Sequence, residues 1–167
     1  MRNTARWLAI VSVGLLAFHP GAARSDEKHE HAKLPPGPIR DRHELMKSMG
    51  QHAEDINNAF NLGGGEGFDV AVIQREAQAI SMSAHQIPSL FPKGSTDPNS
   101  RALPAIWENW DKFEALAKQL EDKAQSLSNA ASAGDTENLH EKAKKVFAIC
   151  KSCHDQFRRP EKDKKGS

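Results

Sequence analysis

Apolar residues recur at every third or fourth position along four separate segments of this 167-residue chain, and no segment alternates convincingly at period two. Spacing of three and four lines up side chains on one face of an α-helix, whereas a half-buried strand needs strict alternation. The first stripe is Leu45/Met46, Met49, Ala53, Ile56 and Phe60, and the second is Val70, Ile73, Ala77, Ile80 and Ala84. The third and longest runs Ile106, Trp110, Phe113, Ala117, Leu120, Ala124 and Leu127. The fourth is Leu139, Ala143, Val146, Cys150, Cys153 and Phe157, ending before Pro160. "NLGGGEG" (61–67) cannot easily continue the first helix, and Ile87-Pro88 closes the second. "SAGD" (132–135) stops the third, with Gly134 suited to its C-terminal side and Asp135 to the next N-cap. Four such helices with two short loops predict an all-α fold, an antiparallel four-helix bundle. The long loop "PSLFPKGSTDPNSRALP" (88–104) is the exception, and it could run along or over one end of the bundle.

The start of the chain stands outside this pattern. Arg2 and Arg6 precede the uncharged run "WLAIVSVGLLAF" (7–18), and "PGAARS" (20–25) offers small residues for cleavage after Ala23 or Ser25. The run is too short to span a bilayer and no second one follows, so residues 1–25 read as a secretory signal peptide. Residues 26–37 read as a flexible, Pro-containing lead-in, 38–159 as the four-helix domain and 160–167 as a polar tail. His29 and His31 in the lead-in are read as solvated, because two ligands on a flexible segment fix no metal geometry. Removing residues 1–25 takes away three arginines and no acid, leaving 20 basic against 22 acidic residues. Such balance is too even to suggest nucleic acid or an anionic membrane as partner. The expected mature protein is exported to the periplasm, without stable membrane insertion.

The fourth stripe carries the chain's only two cysteines, in Cys150-Lys151-Ser152-Cys153-His154. A disulfide here would close a loop of two residues and constrain little of the unfolded chain. A tetrahedral zinc site needs four ligands, and no second cysteine pair supplies them. A redox dithiol usually opens a helix in a βαβ setting, and no strand is visible. Cysteines three apart on a helix point the same way. They suit two thioether bonds to one porphyrin, with the next histidine swung beneath the iron. CxxCH is the attachment pattern of haem c. The bundle should then enclose one covalently attached haem. Met46, Met49, Trp107, Trp110 and Phe113 lie near enough in the pattern to line it while remaining ordinary core residues.

Beyond this pentapeptide, "CKSCHDQFR" resembles the CxxCHxx-aromatic-Arg ending of the class II c-type cytochromes, the cytochrome c′ and cytochrome c-556 family. "RHELMKSMGQH" (42–52) is similar to that family's first-helix signature, and "LFPKGS" with "ALPAIWENWDKF" to its loop and Ile-Trp segment. The resemblance covers about residues 38–159. It implies Cys150 and Cys153 as haem anchors, His154 as proximal iron ligand, Arg158 near the proximal face and Arg42 approaching a propionate. A guanidinium can bond a carboxylate through two donors at once. The resemblance also implies a homodimer through the first two helices.

Function turns on the sixth position of the iron. Met46 occupies the family position facing the distal side. If its sulfur binds, His/Met ligation favours electron transfer with a redox partner protein. If it only packs above the ring, the iron is five-coordinate and open to NO or CO, as cytochrome c′ would be. Met49 is one turn away and could compete, Met82 is expected in the core, His52 is expected to point elsewhere and His43 to be exposed. A peroxidase-like enzyme would need an acid–base group over the iron, where Leu45, Met46 and Met49 stand, with Glu44 facing away. The chain is therefore read as a non-enzymatic, iron-containing electron-transport protein, with gas binding as the alternative.

Overall fold

Local chemistry sets the helix boundaries. The computed structural model describes residue 34 and residues 36–61 and 68–160, so the expected signal peptide at 1–25, His29, His31, most of the 61–67 stretch and the tail beyond Pro160 lie outside the described residues. Helix α1 is Pro38–Asn61, α2 Val70–Gln86, α3 Ala105–Glu108, α4 Trp110–Ser132 and α5 Leu139–Phe157. Pro38 begins α1, where its fixed φ suits a helix and its missing N–H costs nothing. Asp69 caps α2, its carboxylate accepting the Val72 N–H at 3.0 Å. Gly134 ends α4 at φ +73°, while the Ala133 N–H bonds the Asn129 carbonyl and the Asp135 N–H the Ala130 carbonyl. These bonds satisfy carbonyls the helix would otherwise orphan. A Cβ on Gly134 would meet nothing within 4 Å, so only the left-handed backbone resists substitution. Gly134→Ala is expected to cost about 1 kcal/mol, read as a lower urea midpoint with unchanged slope.

The four stripes converge on one core. Ile56, Ile73, Ile80, Ile106, Leu127, Leu139 and Val146 are fully buried, each contributing about 1.5–3 kcal/mol of burial. Helix α2 packs along α1 and α4, and α4 along α5, whereas α1 and α5 scarcely approach one another. The four long helices form the expected bundle, with only sparse packing between α1 and α5.

Three expectations are corrected. The third stripe is two helices, because Asn109 breaks it at φ −129°, ψ 48°. Its backbone N–H and side-chain amide both donate to the Ala105 carbonyl, at 3.0 and 3.1 Å. The side-chain amide thus competes for a carbonyl that the helical backbone bond already uses. Asp135 opens a 3₁₀ turn, Thr136–Asn138, and its carboxylate takes the Asn138 amide at 2.9 and 3.0 Å without capping α5. Met82 is 61% exposed and not core. It sits two residues from both Ile80 and Ala84, hence on the opposite face of α2.

The long loop crosses the bundle end where α1 starts and α5 stops. It begins with the 3₁₀ turn Pro88–Leu90. The indole N–H of Trp107 donates to the carbonyls of Phe91 and Pro92, at 3.0 and 3.1 Å. Further on, Ala102 and Arg158 form an antiparallel bridge, the Leu103 N–H bonds the Phe157 carbonyl at 3.0 Å, and the Arg159 N–H bonds the Arg101 carbonyl at 2.8 Å.

Candidate functional site

The last two turns of α5 bring the motif to the end of the bundle. Cys150 and Cys153 are free, half-buried and packed against the core. Burial pushes both thiols up, Cys153 to about 11 with a further push from Cys150. They are therefore neutral thiols at neutral pH and lack the thiolate a redox dithiol uses. Among the described residues no group of three or more His, Cys, Asp or Glu could hold a metal ion.

His154 follows, half-buried. Burial lowers its pKa, Arg158 and Arg101 push the same way, and Asp155 opposes them. The neutral imidazole so favoured keeps the lone pair a metal needs. Its carbonyl accepts the N–H of Arg158, the C-cap residue, at 3.1 Å. The Arg158 side chain is exposed.

Opposite in sequence and at the same end stands the first half of α1. Leu45 and Met46 are half-buried against the core, and Met49 is 7% exposed within it. The sparsely packed side between α1 and α5 is flanked by the two cysteines and His154 on α5 and by Leu45 and Met46 on α1. His43 is half-buried, not exposed, since it neighbours the buried Arg42. Glu44 is exposed, as expected. His52 has both ring nitrogens engaged: Nδ1 is 2.7 Å from Glu76 Oε2 on α2, and Nε2 is 3.2 Å from Ser48 Oγ. Glu76 itself is 7% exposed and also accepts from Arg75 Nε at 2.8 Å. The sequence reading missed this buried carboxylate. Its only signal was an acid spaced three from Ile73 and four from Ile80.

Arg42 is 3% exposed, far from the solvated surface residue its charge alone would imply. Nη1 donates to Ser95 Oγ at 2.8 Å, and Nη2 to the Ser95 carbonyl at 2.7 Å and Ser100 Oγ at 3.1 Å. The guanidinium lies 4.8 Å from the centre of the Phe91 ring, a favourable cation–π arrangement. Burial lowers its pKa and Asp97 partly restores it. Phe113 is core, as expected, packing edge-on against Phe91 and Phe157 at centroid distances of 4.8 and 5.4 Å. Trp107 and Trp110 instead border an apolar groove of about 490 Å³ with Pro88, Phe91, Pro92 and Lys93.

The family model described as Cytochrome C' matches residues 37–158. The chain belongs to the cytochrome c′ family. It is similar to a cytochrome c′ of Rhodopseudomonas palustris, 36% identical over 121 residues, covering 72% of this chain and 80% of that one. It is similar also to a cytochrome c-556 of Agrobacterium fabrum, 33% identical over 123 residues, covering 73% and 81%. A solved cytochrome c′ from Rhodopseudomonas palustris superposes with TM-score 0.65 at 32% identity, covering 77% of this chain and all of that one. A nitric oxide complex of a cytochrome c prime variant from Alcaligenes xylosoxidans shares the fold, with TM-score 0.61 and 24% identity, covering 75% and 98%. As a cytochrome c′ family member with its cysteine pair in CxxCH, the chain carries a covalently attached haem c within its four-helix bundle.

Proposed function

We propose that this protein is a periplasmic electron carrier whose haem is anchored by Cys150 and Cys153, with His154 and Met46 as axial ligands. The observation that carries the reading is on α1. Met46 is half-buried on the inward stripe, while His52, the stronger ligand chemically, is tied to Glu76 and Ser48. Haem iron with a His/Met pair supplies a one-electron couple of raised potential. The chain's own residues do the rest. Cys150 and Cys153 hold the ring against α5, and His154 presents a neutral imidazole from the same turn. Leu45 and Met49 keep water from the distal face. Arg158, one turn beyond His154, places positive charge near the proximal face. No acid–base group of the kind peroxide chemistry needs stands on that apolar stripe, which supports a carrier and not an enzyme.

Export through residues 1–25, with the four-helix domain spanning 38–159, belongs to the same proposal; among the described residues no helix is long and apolar enough to cross a membrane. A homodimer through α1 and α2 accompanies it, and Met82 gives α2 an exposed apolar side chain for such a surface.

The optical spectrum tests the ligand assignment. Ferric wild type should be low-spin, and Met46→Ala should convert it to high-spin with a charge-transfer band and a lower reduction potential. A wild type already high-spin, and unchanged by Met46→Ala, overturns it. The alternative is a five-coordinate protein that binds NO or CO on the apolar face of Leu45, Met46 and Met49. It is favoured by the nitric oxide complex of the relative sharing this fold. A Soret shift in the reduced wild type on adding CO supports that alternative, and its absence rejects it.

A further inference from the structure

Arg42 is buried, and its hydrogen bonds go to the loop. A buried guanidinium is costly unless its donors are met. Here two Nη atoms meet three acceptors on Ser95 and Ser100, more than fifty residues further along the chain. The same loop then reaches α5. Ser100 Oγ also accepts the Ala102 N–H at 3.3 Å, and Ala102 pairs with Arg158 in the antiparallel bridge. Leu103 bonds the Phe157 carbonyl. A second connection runs through rings: Arg42 over Phe91, Phe91 edge-on to Phe113, Phe113 edge-on to Phe157. Both routes start at one side chain of α1 and end on the two residues that close α5.

We propose that Arg42 is a positioning residue that sets the orientation of His154, by clamping the 91–104 loop onto the final turn of α5. Helix ends fray unless tied down. The last turn of α5 has the His154 carbonyl bonded to the Arg158 N–H, and Arg158 is itself held by the loop. Releasing Arg42 frees the loop, and the freed loop lets that turn open. The imidazole one turn back then loses the backbone frame that aims it. Outer residues that orient a ligating histidine tune its metal in this way. The inference rests on the reading that His154 binds the iron, and it differs from a direct contact between Arg42 and a haem carboxylate.

The test uses ferrous holoprotein of the full chain carrying Met46→Ala, so that the iron is five-coordinate and its bond to histidine is visible by resonance Raman. Three changes are compared in that background: Arg42→Gln, Arg42→Lys, and the pair Ser95→Ala with Ser100→Ala. The serine pair leaves every charge in place and keeps the test open if Arg42→Gln fails to fold. Expected is a broadened, lower-frequency iron–histidine band in Arg42→Gln and in the serine pair, with Arg42→Lys intermediate. Amide exchange at residues 101–103 and 157–159 should accelerate at least about tenfold in the same variants, from the loss of two or three bonds. A shift in Arg42→Gln with none in the serine pair overturns the clamp and assigns Arg42 to the haem directly. Absence of the band in the Met46→Ala parent overturns the His154 reading and the clamp with it, a failure distinct from the first.

Discussion

Replacing both Cys150 and Cys153 by alanine should abolish covalent haem completely, from one per chain to background on a denaturing gel stained for haem. Thioether bonds survive unfolding, whereas axial coordination through His154 does not. Either single replacement should keep the stain, because one thioether remains. The cost to folding follows from the packing. α1 and α5 scarcely touch, so a porphyrin seated between them would supply apolar contact that no helix does. A cofactor bound only by the native state stabilises it, and its loss should remove several kcal/mol. At roughly 4 °C per kcal/mol for a domain of this size, the melting temperature should fall by about 10 °C or more. A stained band persisting in the double variant would show that another residue anchors the haem.

Phe113→Ala should be the most damaging change that leaves every haem anchor in place. The ring is 2% exposed and touches Phe91, Trp110 and Phe157, joining the loop, α4 and α5. Truncating a buried phenylalanine costs about 3–5 kcal/mol through lost transfer energy and the cavity left behind. That is a large share of the roughly 5–15 kcal/mol a domain has in all. Urea unfolding of the holoprotein should show it, with Phe113→Leu losing under half as much. A loss below about 1 kcal/mol for the alanine variant would mean that the three rings reclose over the gap.

The inward stripes were legible because burial of one helix face imposes a spacing that survives in the residues. Ile73, Ala77, Ile80 and Ala84 on α2, and Leu139, Ala143 and Val146 on α5, are buried where the spacing places them. Met82 is apolar by residue type but sits two places off the stripe, and position, not type, decides its exposure. The break at Asn109 was hidden because Ile106, Trp110 and Phe113 keep helical spacing across it. Only the Asn109 backbone at φ −129°, ψ 48°, with its side-chain amide on the Ala105 carbonyl, reveals it.

By itself the sequence determined the helical class, the haem motif, its place near the chain's end and the family. Each of these is written in local spacing: period 3.6 for a helix face, three for two thiols and a following imidazole. Tertiary structure alone decided where the polar side chains went. Arg42 became a buried clamp on Ser95 and Ser100, and His52 a partner of Glu76, because both contacts join residues far apart in the chain. Long-range hydrogen bonds have no period, and charge by itself says only that burial must be compensated, not by which residue.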